Sequence, residues 1–317
     1  MGYDATVYIE KTKYSIQSVE ELILLMGYKK TKFGYYCGED FEYKYASGVS
    51  VRIGKKSLNQ QYHIVFLRSQ IWASFYDLQK MNNTLRMLRK YCNAYFISDN
   101  GKNRYFVEGE KLDGVESGCY LAITRLENGF SDLKHSLQKY PEDEENEKFV
   151  LEYGIPSPSV FNSNVYSAFL CALIEEYFRT TYIALLRFSD RKEKVISNAK
   201  LSIYDLLYIN AGECSFEEAY ARILSFQNMD KIVKNFRELD SRLDVGTPLK
   251  KPYHRRKRTL YEQLHEIFER RHRMIHHVNM DLDYSKSALS KDIRDTEVAI
   301  KRVYTYLCER YGWTPQI

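Results

Sequence analysis

The sequence predicts an α+β N-terminal domain followed by an all-α helical bundle. Residues 1–140 mix segments that alternate apolar and polar side chains with segments of helical spacing, whereas the apolar patterns after residue 160 all have the helical period. Between them, residues 141–147 hold five acidic side chains, and two prolines follow at 156 and 158. Like charges and prolines disfavour a helix, so we interpret residues 141–158 as a linker between domains 1–140 and 159–317.

In the N-terminal domain, alternation predicts strands at residues 5–10, 49–53 and 62–67. Helical spacing predicts helices at 18–26, 73–91 and 119–140. Ser18 is the expected N-cap of the first helix, and Gly27 is its expected stop.

Two hairpins complete this domain. Residues 33–45 are aromatic and interrupted by Gly34 and Gly38, and residues 95–97 and 104–107 flank an Asn-Gly pair. We expect the aromatic residues of 33–45, and Trp72, to lie in the core rather than to stack on bases. This domain contains no phosphate loop and no nucleophile motif. Three alternative roles are compatible with its position: it could sense a ligand or protein trigger, bind RNA, or scaffold a dimer.

The C-terminal domain is predicted to be helical throughout. Its first helix carries Phe169, Leu173, Tyr177, Thr181 and Leu185 on one face. A capping box, Ser215 with Glu218, begins the third helix. The predicted helices are 164–188, 202–209, 215–226, 229–243, 258–280 and 290–311, with a break at 244–253.

Composition indicates a cytoplasmic protein without a membrane anchor. The segment 1–10 lacks the basic start and apolar run of a signal sequence, and no apolar window approaches the length of a membrane span. The six cysteines are scattered, as is typical of reduced thiols. The net charge is +5, but residues 245–277 alone carry nine basic and three acidic side chains, a balance of +6. Such local concentration attracts polyanions.

The helix 258–280 carries the clearest functional signal. Relative to Arg271, the residues Leu260, Leu264, Ile267, Ile275 and Val278 lie within about 40° around the helix, so Arg271 is predicted to lie in the middle of the apolar stripe. Burying an unpaired guanidinium is costly, and we expect an anionic partner, a second subunit or a cleft there.

Arg271, the polar His272 directly after it, and His276 form an Arg-polar-x-x-x-His motif, which resembles the catalytic motif of HEPN-superfamily ribonucleases. The resemblance implies a HEPN-like bundle whose protomers pair and cut RNA at a shared cleft, with no metal or other cofactor. His276 would handle protons at the ribose 2′-hydroxyl or the leaving oxygen, and Arg271 would hold the phosphate. His272, and one of Glu175 and Glu176, would support them.

The geometry of the motif favours a dimer. On a straight helix, Arg271 and His276 point about 140° apart. They converge only through a bend or across a two-fold axis. We therefore expect a homodimer, or a higher oligomer, built on the C-terminal domain.

A basic segment precedes the motif helix and is predicted to contact RNA phosphates. A nuclear import signal or a solvated charge run is the alternative. The segment comprises Lys250, Lys251, Arg255, Arg256, Lys257 and Arg258.

Simpler interpretations of the motif stay open. Arg271 and His276 could belong to a salt-bridge network with Glu266 or Glu269, and the spacing of His272 and His276 would also fit two metal ligands. No carboxylate or cysteine nearby completes a metal site, and two arginines would repel the ion.

The resulting hypothesis is an endoribonuclease of toxin or anti-phage type that cuts RNA when triggered. The alternative is a non-catalytic HEPN-like module that dimerises and binds nucleic acid or a protein.

Overall fold

The computed structural model describes residues 2–38, 45–55, 59–70, 73–139, 157–197, 199–277 and 279–316. The chain forms two compact units, an N-terminal unit of Met1–Ser117 and a C-terminal unit of Gly118–Ile317. The division therefore lies before residue 140, and most of the helix that we assigned to the end of the first domain belongs to the C-terminal unit. The acidic part of the expected linker and Trp72 lie outside the described residues.

The N-terminal unit contains an antiparallel sheet of seven strands. The predicted strands at 5–10, 49–53, 62–67 and 95–97 are confirmed. The strands are β1 (Asp4–Glu10), β2 (Lys29–Thr31), β3 (Gly34–Cys37), β4 (Val49–Ile53), β5 (Tyr62–Ser69), β6 (Tyr95–Ser98) and β7 (Gly101–Lys102). Their order across the sheet is β2-β3-β4-β5-β1-β6-β7.

Two helices, α1 (Ile16–Leu25) and α2 (Phe75–Cys92), cover one face of this sheet. Alternate strand residues such as Val7 and Val65 are fully buried beneath them. The N-cap of α1 is Ser15 and not Ser18, because the Ser15 hydroxyl accepts from the Ser18 amide. Gly27 follows α1 with a φ of +85°, a conformation that favours glycine at a helix end.

The two predicted hairpins differ in detail from the structure. The first joins β2 to β3, so it begins at Lys29, before the aromatic segment. The second pairs β6 with the short β7, and residues 104–107 are not a strand. The side chain of Asn82 replaces a strand partner there, since it accepts from the Phe106 amide and donates to the Phe106 carbonyl, both at 2.9 Å.

The expectation that the aromatic residues of 33–45 lie in the core is only partly confirmed. Tyr35 is buried, but the Phe33 and Tyr36 side chains are 77% and 37% exposed. Strand alternation explains the difference, because Tyr35 and Tyr36 point to opposite faces of the sheet.

The C-terminal unit is helical, as predicted. The structure adds one short helix after residue 190 and one inside the predicted break. The helices are α3 (Gly114–Gln138), α4 (Pro158–Arg187), α5 (Lys192–Ile196), α6 (Ile203–Asn210), α7 (Phe216–Ile223), α8 (Met229–Leu239), α9 (Thr247–Lys250), α10 (Leu260–His277) and α11 (Lys286–Tyr311).

Helix boundaries follow local capping chemistry. Ser157 caps α4, so this helix begins at Pro158, a residue that we expected to end the linker. The predicted capping box of Ser215 and Glu218 at α7 is confirmed. Gly312 ends α11 in the left-handed conformation, with a φ of +73°.

The core of the C-terminal unit forms where α4 packs against α8, α10 and α11. Tyr177, Thr181 and Leu185 are buried as predicted, whereas Phe169, near the start of the predicted stripe, is 46% exposed. The rings of Phe178 and Tyr182 pack edge-on against Phe236 of α8. The buried face of α4 thus shifts along its length and leaves part of its N-terminal half uncovered.

Among the described helices, none combines the length and the apolar character that crossing a membrane requires. All six cysteines are free thiols.

Candidate active site

Helix α10 carries the motif and begins with a reciprocal cap. The Thr259 hydroxyl accepts from the Glu262 amide, and the Glu262 carboxylate accepts from the Thr259 amide at 2.8 Å. Leu264 and Ile267 are then buried against the bundle. The helix contacts α4 where the Cys171 thiol donates to the Ile267 carbonyl at 3.3 Å.

The buried arginine of α10 is Arg270, and not Arg271 as the apolar stripe predicts. Arg270 is 8% exposed, and its Nη1 donates to Asp292 Oδ2 at 2.8 Å. Its guanidinium carbon lies 3.9 Å from the centre of the Tyr284 ring. Asp281 and Glu266 lie 3.5 and 3.9 Å from its nitrogens. The salt-bridge network that we considered for Arg271 is therefore formed by its neighbour.

A polar cluster around Asp292 explains why Arg270 is buried and Arg271 is not. Asp292 also accepts from Gln263 Nε2 and from the Tyr284 hydroxyl, both at 2.7 Å. Its negative charge is buried at 3% exposure, so it requires a cation, and Arg270 supplies one. The sequence contains a signal for the burial of Asp292, which lies on the face of α11 that also carries the buried Leu289 and Thr296, but none for its partner.

Arg271 lies beside this network, half-buried, with its charge close to α4. Among the residues that the structure describes, its side chain has no ion pair and no hydrogen bond. The predicted stripe also ends early, because Ile275 is 47% exposed. Val278 lies outside the described residues. Residues after Arg271 on α10 are mostly exposed, so Arg271 lies at the boundary between the buried and the exposed parts of the helix.

The structure separates the two candidate acids of α4. Glu175 is 8% exposed and lies within the electrostatic reach of Arg271. Glu176 is on the solvent side, where it accepts from Arg179 at 2.8 Å and from the Thr180 hydroxyl. Glu175 is therefore the acid beside the motif.

The Glu175 carboxyl is in an unfavourable environment when it is charged. Burial raises its pKa, and the opposing positive charges of Arg271 and Arg179 do not fully compensate. Its Oε1 has no hydrogen-bond partner among the described residues. A buried carboxylate that needs a donor, next to an arginine that needs an anion, is a combination typical of functional sites.

The thiol of Cys171, one helical turn before Glu175, is not a candidate nucleophile. It is fully buried, and burial raises its pKa to about 12. The thiolate that nucleophilic attack requires is thus disfavoured.

Three imidazoles form an exposed cluster at the C-terminal end of α10. The ring centres of His272 and His276 lie 4.6 Å apart, and those of His272 and His277 lie 5.7 Å apart. All three imidazoles are exposed to solvent. Within the described parts of the chain, no three His, Cys, Asp or Glu side chains are placed to bind a metal ion.

In the described part of the chain, three side chains of the basic segment before α10 contact other protein groups, and three extend into solvent. Arg256 is paired with the buried Asp295 at 2.6 Å, and Arg258 is paired with Glu266. Lys250 lies over the Tyr261 ring, 4.7 Å from its centre. The remaining members extend into solvent, and they are Lys251, Arg255 and Lys257.

Comparison of the chain with protein-family models, with curated proteins and with solved structures gave no match.

Proposed function

We propose that this protein is a metal-independent endoribonuclease of the HEPN type. The observation that carries the proposal is the half-buried Arg271, which lies near the buried carboxyl of Glu175 and directly precedes the exposed imidazole cluster on α10. A half-buried guanidinium that lies near a buried carboxyl without an ion pair to it, and that is partly open to solvent, is suited to bind a phosphate.

The reaction would proceed by attack of the ribose 2′-hydroxyl oxygen on the adjacent phosphorus. His276 accepts the hydroxyl proton as the oxygen–phosphorus bond forms, and the bond to the 5′-oxygen breaks. A second imidazole, such as that of His272, protonates this oxygen, and the products are a 2′,3′-cyclic phosphate and a 5′-hydroxyl end. Arg271 stabilises the charge that develops on the phosphate.

A homodimer would complete the site. Helix α10 is uninterrupted over Arg271 and His276, so their side chains diverge by about 140° within one chain. A two-fold axis beside α10 brings the arginine of one protomer towards the histidine of the other.

The N-terminal half of α4 supplies an apolar surface for this dimer. Phe161, Val165 and Phe169 are spaced by four residues and are 45%, 44% and 46% exposed. Leu282, also 44% exposed, follows Asp281, whose backbone amide donates to the Asn164 side chain on α4 at 3.0 Å. The loop that follows the motif helix therefore contacts the N-terminal half of α4, the part of the helix that carries this stripe.

The resemblance further suggests a cytoplasmic toxin or anti-phage effector. Its RNA cleavage would be held back until a ligand or a protein acts on the N-terminal unit. The exposed Arg255 and Lys257 would guide RNA to the cleft by their charge.

The test is incubation of total RNA with the purified protein in EDTA, comparing the wild type with His276→Ala. We expect the wild type to cut and to leave 2′,3′-cyclic phosphate and 5′-hydroxyl ends, and the variant to be inactive. Binding of RNA without cleavage by the wild type would favour the non-catalytic module instead. Activity that requires added zinc or magnesium would overturn the metal-independent mechanism.

A further inference from the structure

The second face of the N-terminal sheet is open and carries a pattern that the proposed ribonuclease site does not use. Helices α1 and α2 cover one face, and the strand residues of the other face point away from that core. Three of these, Tyr36, Phe66 and Ile97, are 37%, 38% and 46% exposed. They lie on β3, β5 and β6, so the exposure extends across the sheet.

Aromatic and guanidinium side chains alternate between neighbouring strands of this open face. Arg52 of β4 lies directly opposite Phe66 of β5. Ser50 of β4 lies between Tyr36 and Arg68 in the next cross-strand row. With the exposed Phe33, these side chains line a depression of about 510 Å³.

A second aromatic group continues the surface on the far side of β5. The rings of Tyr8 and Tyr95 are stacked, with centres 4.7 Å apart, and Tyr62 meets both edge-on. The Lys102 ammonium lies 5.2 Å from the centre of the Tyr95 ring. The basic and aromatic pattern therefore spans the sheet from β3 to β7.

The charge on this face favours an anionic ligand. The described strands place four basic side chains there, at Lys29, Arg52, Arg68 and Lys102, against two acidic ones at the ends of β1. Asp4 contacts Arg68 only at 3.7 Å, and both side chains are more than half exposed. An exposed pair of this kind is weak and can be displaced by a phosphate.

We propose that the open face of the N-terminal sheet binds single-stranded nucleic acid. Bases stack on Phe66 and Tyr36, while Arg52 and Arg68 contact the phosphates between them. Aromatic rings alternating with cations on an open sheet suit this ligand, because every base offers a ring face and every linkage a negative charge. Four strand spacings separate β3 from β6, roughly 19 Å, which is enough for a few nucleotides.

The experiment measures binding of fluorescein-labelled octathymidylate to the full-length protein by anisotropy. A DNA ligand lacks the 2′-hydroxyl, so the outcome does not depend on the ribonuclease activity. Octauridylate, tested in the His276→Ala background, shows whether RNA is preferred. The protein also carries Arg255→Ala and Lys257→Ala, so that binding at the basic segment does not mask the sheet.

We expect Phe66→Ala to weaken binding at least fivefold, and Phe66→Tyr to retain it, because stacking requires only a ring. Tyr91→Ala is the matched control, since Tyr91 is 51% exposed on α2, which covers the opposite face. Equal affinities for Phe66→Ala and Tyr91→Ala would overturn the proposal. So would a change in self-association without a change in binding, which would make this face a protein interface.

Discussion

Arg270 and Asp292 form a buried ion pair, with Nη1 of the arginine 2.8 Å from Oδ2 of the aspartate, and Arg271 lies outside it. Two adjacent arginines of one helix are thus in different environments. Arg270 connects α10 to α11 and to the Tyr284 ring, whereas Arg271 lies half-buried beside Glu175. We infer a structural role for the first and a functional role for the second.

Arg270→Ala should destabilise the protein strongly. The substitution leaves the buried carboxylate of Asp292 without its cation, and breaking a buried pair from one side costs about 3–5 kcal/mol. The measurement is the free energy of unfolding by urea, with Arg271→Ala as the matched control one residue away. Equal losses in the two variants would contradict the division of roles.

Arg271→Ala should lower RNA cleavage by roughly 100-fold or more, as expected for loss of a donor to the transition state, with little change in stability. Arg271→Lys should recover little, because an ammonium does not reproduce the bidentate fork. Arg273→Ala is the control, since Arg273 is exposed on the same helix and occupies a position of the motif where any residue is allowed. Undiminished cleavage by both Arg271→Ala and His276→Ala would remove the proposed site.

Glu175→Gln should make the protein more stable at pH 7 while it lowers activity. Burial raises the pKa of Glu175 in the folded state, so its ionisation weakens folding as the pH rises from the unfolded value of 4.5 through the folded one. Glutamine has no charge to bury. The stability advantage of the variant should therefore be present at pH 7 and disappear near pH 4. A variant that is less stable at pH 7 would show that the carboxylate is net stabilising.

The basic segment should separate into a structural and a binding part. Arg256→Ala leaves the buried Asp295 without its partner and should cost about 1–3 kcal/mol of stability. Arg255→Ala and Lys257→Ala should leave stability unchanged. Each should instead reduce the slope of log affinity against log salt by ~0.7 for a single-stranded RNA. An unchanged slope would indicate a solvated charge run.

Val165→Glu should dissociate the proposed dimer, because it places a charge in the middle of the exposed stripe of α4. Sedimentation velocity measures the change, and Leu25→Glu is the control at a position that is 84% exposed in the N-terminal unit. Activity should fall with dissociation. A monomer that still cuts RNA would exclude a site shared between protomers.

Mixing Arg271→Ala with His276→Ala protein tests the shared site directly. If each protomer contributes one residue to a cleft, the mixed dimer restores one intact combination and recovers part of the activity. The absence of any recovery would place both residues in the same chain's site.

Much of the architecture is determined by the sequence. Strand alternation located β1, β4 and β5, because the two faces of a strand differ in burial whatever packs against them. The Asn-Gly pair located β6 as one arm of a hairpin. Local capping chemistry likewise located the start of α7 at Ser215, since Ser215 and Glu218 satisfy each other's backbone groups within one turn. The motif helix and its basic flank were also visible as local patterns.

The tertiary structure decided which side chains of those elements are buried and which partners they contact. Periodicity alone placed Arg271 in the core, but Asp292, Tyr284 and Asp281 draw Arg270 inwards instead, and no local pattern contains that contact across 22 residues. The choice between Glu175 and Glu176 likewise depended on how α4 turns against α10. The aromatic and basic residues of the open sheet face come from strands that are distant in sequence. The register between paired strands determines which of these side chains are neighbours, and the sequence of a single strand does not contain that information.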